Sequence, residues 1–124
     1  MPVVLSIDDR AESLRIRKLM LETDGFSVLT ATSGAYGLKL LAENPVDVVV
    51  LDYRMPEMDG FAVANVIRDR YGKLPVLLLT AYPEEVPQEL HRIVNSFVTK
   101  GESPEALLGE LWRLTGGAPA NARP

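Results

Sequence analysis

The chain has no cysteine and only one histidine among its 124 residues. Without thiols there is no disulfide framework, no thiolate nucleophile and no cysteine-based zinc site. Long apolar runs are missing too. Stretches such as Val48-Val49-Val50-Leu51 and Val76-Leu77-Leu78-Leu79 fall far short of the roughly 20 residues a helical bilayer span needs. The N-terminus lacks a basic-then-apolar export signal, because Asp8-Asp9 interrupts the first apolar stretch. Nor is there a strong excess of one charge. Seventeen acids against thirteen bases leave a net charge of −4, which argues against nucleic-acid binding by charge. These absences fit a cytoplasmic chain that engages neither membrane nor nucleic acid. What remains is ordinary globular stock, 47% hydrophobic and 24% charged, of a length that suits one domain.

Short apolar runs alternate with longer amphipathic segments, and that alternation organises the chain. Val3-Val4-Leu5-Ser6-Ile7 reads as a strand covered on both faces. A helix follows, with Leu14, Ile16, Leu19, Met20 and Leu21 as a broad apolar stripe and Gly25 at its C-terminal end. Phe26 to Ala31 is a second strand; Ser33 caps a helix carrying Ala35, Leu38, Leu41 and Ala42, which ends at Asn44-Pro45. Val46 to Leu51 is a third strand, running into Asp52. Beyond the loop from Tyr53 to Gly60 comes a helix with Val63, Val66 and Ile67 inward. Pro75 to Leu79 and Ser96 to Thr99 are the last two strands. Ser103-Pro104-Glu105 starts a final helix with Leu107, Leu108, Leu111, Trp112 and Leu114. Pro83 and Pro87 forbid a regular helix before about Pro87, leaving about two turns from Gln88 to Val94. Gly116 to Pro124 lacks apolar periodicity and reads as a tail. The pattern predicts an α/β domain over residues 1–115, a parallel sheet with helices on both faces.

In such a sheet a ligand site lies beyond the carboxyl ends of the strands. The first strand ends in Asp8-Asp9, the third in Asp52, the fourth in Thr80 and the fifth in Lys100. Singly, each reads as a helix cap or a solvated charge. Together they place three carboxylates, a hydroxyl and an ammonium on one edge. Clustered carboxylates repel one another and call for a cation. Hard oxygens with no histidine or cysteine nearby select magnesium or calcium. A phosphoryl group arriving there would meet the metal on one side and Lys100 on the other, and one aspartate could act as its nucleophile.

These residues carry a resemblance. Ile7-Asp8-Asp9, the stretch Leu51-Asp52-Tyr53-Arg54-Met55-Pro56-Glu57-Met58-Asp59-Gly60, Leu79-Thr80-Ala81 and Val98-Thr99-Lys100 are similar to the motifs of response-regulator receiver domains. The likeness runs from about Pro2 to Thr115, and the chain is similar throughout to the small chemotaxis type. It implies a flavodoxin-like sheet of order 2-1-3-4-5 with five helices. It also implies that Asp52 accepts a phosphoryl group from the phosphohistidine of a sensor kinase or phosphotransfer protein. Asp9 and Asp52 would bind Mg2+ directly, Asp8 mostly through water, and the Arg54 carbonyl would complete the set. Lys100 and the backbone at Arg54 and Ala81 would contact the phosphoryl oxygens. Thr80 would follow the new phosphoryl group, and Phe97 would follow Thr80 as the switch aromatic. Phe97 lacks the hydroxyl of the family's more usual tyrosine, so its signal must be steric.

Asp59 reads as a turn residue, His91 as a surface histidine and Trp112 as a core or tail contact. One departure concerns the backbone, since Gly101 stands where the family usually has a cis-proline. In the family the segment between Thr80 and Lys100 lies in the face that partners read; here it is short and holds Pro83 and Pro87, which implies an unusual output surface toward a downstream protein target. Two other readings compete with the signalling phosphoacceptor. A magnesium-dependent phosphohydrolase would carry a second aspartate two residues after its nucleophile, where this chain has Arg54. A flavin carrier would need a hydroxyl- and glycine-rich loop after the first strand, where it has Asp8-Asp9-Arg10.

Overall fold

Side chains alternate between the two faces of a strand, and here that parity divides the interior. Along β1 (Val3–Ile7), Val4 joins one cluster while Leu5 and Ile7 join the other. In β3 (Val48–Asp52), Val48 and Val50 face one way, Val49 and Leu51 the other. Both strands are almost wholly buried, as strands covered on two faces must be. The computed structural model describes residues 1–55 and 60–117. Asp59 and the tail from residue 118 lie outside them.

The remaining elements are α1 (Ala11–Thr23), β2 (Ser27–Ala31), α2 (Gly34–Glu43), α3 (Gly60–Arg70), β4 (Val76–Thr80), a 3-10 turn (Pro83–Glu85), α4 (Gln88–Ile93), β5 (Ser96–Thr99) and α5 (Pro104–Thr115). The strands form one parallel sheet of order β2-β1-β3-β4-β5. This is the expected doubly wound order. On one face α2, α3 and α4 bury Leu41, Val63, Ile67 and Leu90. On the other, α1 and α5 bury Leu21, Leu107, Leu111 and Trp112. Trp112 is a core residue: its ring stacks on Phe26 at 4.1 Å and its indole N–H donates to Asp24 at 2.6 Å.

Several local expectations need correction. The apolar stripe of α1 is narrower than read, since Leu14 and Leu21 are buried while Ile16 and Leu19 are 64% and 69% exposed. Those two residues lie on the flank turned from the sheet. In α2, Ala35 and Ala42 are exposed, and the buried face instead uses Gly34, Gly37 and Leu41. The helix lies so close that a Cβ on Gly37 would stand 2.4 Å from Ile7 Cδ1. Val66 is only partly buried. Ser33 caps α2, accepting from the Tyr36 N–H at 3.1 Å, but Ser103 makes no side-chain cap for α5. The segment before Pro87 has no α-helix, as expected: Pro83 opens a short 3-10 turn, and α4 then runs for six residues, Gln88–Ile93. Gly101 has φ of +100°, a left-handed conformation that favours glycine, and no peptide bond is cis among the described residues.

Candidate functional site

The strand ends converge as the topology requires. Extending the alternation of β1 by one residue turns Asp8 to the same side as Ser6 and Val4, and Asp52 closes β3 on the side of Val48 and Val50. These two aspartates therefore meet over the α1 and α5 layer, while Asp9 begins the loop into α1. Carboxylate oxygens of Asp8, Asp9 and Asp52 all lie within 4.8 Å of one another. Asp8 is wholly buried, Asp52 is 4% exposed and Asp9 is exposed. Lys100, just past β5, holds its Nζ 3.2 Å from Asp52 Oδ1 and 3.9 Å from Asp8 Oδ2. Thr80 is buried at the end of β4, its Oγ1 accepting the Tyr82 N–H at 3.1 Å. The Lys100 N–H donates to the Thr80 carbonyl at 2.7 Å, so those two strand ends are tied directly.

The two buried aspartates differ in charge balance. Burial and the neighbouring Asp8 charge push the Asp52 carboxyl up to about 6, against the pull of the Lys100 ammonium. Burial also raises Asp8, but the Arg10 N–H and the Lys100 and Arg17 cations outweigh it and leave Asp8 below its usual value. A cavity of about 340 Å3 opens over this edge, lined by Asp9, Arg10, Asp52, Arg54, Thr80, Ala81, Tyr82 and Lys100. A larger one, about 520 Å3 between α3 and α4, holds none of the strand-end residues.

Every sequence-predicted site residue except Asp8 and Phe97 lines the smaller cavity. Asp8 lies beside it within the cluster, and Phe97 is farther along β5, stacked on His91 at 4.9 Å. His91 is exposed on its outer side, as expected, yet it covers the Phe97 ring. Arg54 and Tyr82 are both exposed, yet they contact each other. The Arg54 guanidinium stands 5.1 Å over the Tyr82 ring and forms an ion pair with Glu85.

Arg17 was missed. It enters from α1, donating to Ser6 Oγ at 3.1 Å and to Asp8 Oδ2 at 3.2 Å. The signal lay in spacing: Arg17 is three residues after Leu14 and four before Leu21, on the helix face that those leucines bury.

Residues 4–111 match the response regulator receiver domain family. The chain belongs to that family. It is 39% identical over 107 residues to the transcriptional regulatory protein GlrR of Escherichia coli, covering 84% of this chain and 24% of GlrR. With the transcriptional regulatory protein KdpE of Mycobacterium tuberculosis it shares 35% over 113 residues, 90% of this chain and 50% of KdpE. The chain thus spans half or less of these curated relatives. Among solved structures it superposes on the response regulator TrrA of Thermotoga maritima in complex with Mg2+-BeF. The TM-score is 0.87 at 28% identity, over 92% of this chain and 99% of TrrA. TrrA in complex with the histidine kinase ThkA gives a TM-score of 0.85 at 28% identity, covering 92% of this chain and 98% of TrrA. No helix among the described residues is long and apolar enough to cross a membrane.

Proposed function

We propose that this receiver domain is the phosphoacceptor of a two-component phosphorelay and that Asp52 carries the phosphoryl group. The observation that bears most weight is the environment of Asp52, a buried carboxylate facing a cavity with one ammonium at 3.2 Å and two further carboxylates beside it. One Asp52 oxygen attacks the phosphorus of a phosphohistidine. The P–N bond breaks as the O–P bond forms, and the imidazole leaves and takes up a proton. Lys100 neutralises the phosphoryl oxygens, with backbone N–H groups near Arg54 and Ala81 as further donors. The Thr80 hydroxyl turns to donate a hydrogen bond to the phosphoryl group, and Phe97 repacks against the space that opens.

The donor set fits a hard divalent cation: three clustered carboxylates, with no histidine or cysteine lining the cavity. Asp9 and Asp52 would hold Mg2+, with the Arg54 carbonyl, and Asp8 would act through water. Bound there, the ion supplies charge neutralisation for the transferring group. TrrA with Mg2+-BeF supports this reading, and its complex with ThkA supports a sensor kinase or phosphotransfer protein as donor. The chain is proposed to act as a signalling component, catalysing only its own phosphorylation and slow dephosphorylation. Arg54, where a phosphohydrolase of this kind would carry its second aspartate, favours that over an enzyme of multiple turnover. The unit proposed is residues 1–115, since α5 closes at Thr115 and Gly116 caps it with φ of +74°. A cytoplasmic setting, with no direct nucleic-acid or membrane contact by this domain, accords with the net charge of −4.

The test is intact mass after incubation with magnesium and a phosphoramidate donor. Wild type should gain one phosphate, and Asp52→Asn, which keeps the shape but lacks the anionic nucleophile, should gain none. Phosphorylation of the Asn variant at the wild-type rate would remove Asp52 from this role.

A further inference from the structure

Ser6 and Arg17 are out of place for the layer they occupy. Ser6 is a wholly buried hydroxyl in an otherwise apolar strand, facing α1. The Arg17 side chain is only 10% exposed although it carries a charge. Burying a guanidinium is costly unless its donors are paired, and here Ser6 Oγ and Asp8 Oδ2 pair it. Arginine remains protonated at any ordinary pH, so this positive charge is permanent.

Both Asp8 oxygens are consequently engaged from within the chain. Oδ1 accepts the Arg10 N–H at 3.0 Å, and Oδ2 accepts Arg17 with Lys100 3.9 Å away. With Lys100 alone, three ionised carboxylates would leave the cluster a formal charge of −2; Arg17 brings it to −1. We propose that Arg17 is a resident counter-cation: it holds the metal-free acidic cluster together, fixes Asp8 as an indirect ligand, and weakens magnesium binding. This rests on the reading of the cluster as a magnesium site. The consequence is a site that stays ordered without metal and fills only at higher magnesium concentration than its three carboxylates would otherwise set.

A purely structural role for Arg17 makes a different prediction, because loss of packing does not tighten a metal site. Magnesium binding to the whole chain is followed by titration calorimetry, and melting is measured in EDTA and in excess magnesium. Arg17→Leu should bind magnesium about tenfold more tightly. It should also melt lower in EDTA and gain more from added magnesium than wild type does. Ser6→Ala, which leaves the arginine beside Asp8, should keep wild-type magnesium affinity. If Arg17→Leu does not fold, Arg17→Gln, which keeps hydrogen-bonding capacity and loses only the charge, should show the same tightening. Wild-type affinity or weaker in the folded neutral variant overturns the role of Arg17 while leaving the magnesium site standing. Absence of magnesium binding by wild type removes the site itself, and this inference with it.

Discussion

Asp52, the proposed nucleophile, is a carboxyl that the fold makes reluctant to ionise. Its carboxyl is pushed up to about 6 by burial and by the charge of Asp8, which fixes the sign of a stability effect. Between the usual aspartate value near 4 and about 6, the native state keeps a proton that the unfolded state has lost. Stability of the metal-free protein therefore falls as pH rises through that window, by on the order of 3 kcal/mol from this group. Asp8 works in the opposite sense, its lowered carboxyl adding stability as pH rises, but its window lies below the usual aspartate value. Denaturant unfolding in EDTA at several pH values should show the fall between pH 4 and 6 in wild type, and Asp52→Asn should flatten it. A slope that survives in the Asn variant would assign the effect elsewhere. The site residues that sequence displayed best are of this kind: Asp8, Asp9, Asp52, Thr80 and Lys100 each end a strand or follow one, so topology alone gathers them. Arg17 was hidden because it arrives from a helix face, where a lone charge among leucines is ordinarily a long side chain reaching solvent.

Two loops flank the site, and their contact was not visible in sequence because it joins residues from different strand ends. Arg54 follows β3, while Tyr82 and Glu85 follow β4; the cation over the ring and the ion pair to Glu85 bring the loops together. Arg54 and Glu85 are both well exposed, so the pair adds little stability. The effect proposed for Arg54 and Tyr82 is on access: water approaching a phosphoryl group on Asp52 would pass these side chains. Cutting Arg54 and Tyr82 to alanine together should speed phosphate loss by about three- to tenfold with little change in magnesium affinity. Phosphate release from purified phosphoprotein measures it, and an equal or slower rate would show that they do not shield the site. The start of α3 is held more rigidly. A Cβ on Gly60 would stand 2.8 Å from Tyr53 Cα and 3.0 Å from the Asp52 carbonyl oxygen, both backbone atoms that cannot swing aside. Gly60→Ala should therefore cost about 1–3 kcal/mol, read as a lowered denaturant midpoint, and should slow phosphorylation by displacing Asp52. Boundaries of the central strands could be read to within two residues because their apolar runs are continuous. The faces of α1 and α2 could not, since only packing decides which of several apolar residues turns inward.

Across the whole molecule, the sheet separates two interiors that carry different duties. The α1 and α5 side is closed by large rings, with Trp112 stacked on Phe26 and bonded to Asp24 across 88 positions of sequence. The α2, α3 and α4 side ends in α4, a helix of six residues whose buried anchor is Leu90, on the face that also carries Phe97. The order β2-β1-β3-β4-β5 has one more consequence, for how the chain reaches this state. Every strand pair is parallel, so none can close as a hairpin, and Val4 meets Val48 only after α1, β2 and α2 have been made. A ribosome delivering the chain from its N-terminus presents β1 with one edge unmatched until β3 emerges, and the carboxylate cluster is assembled only after Asp52 follows it out. Asp8 and Asp9, neighbours in the chain, therefore meet Asp52 only once β1 and β3 have paired.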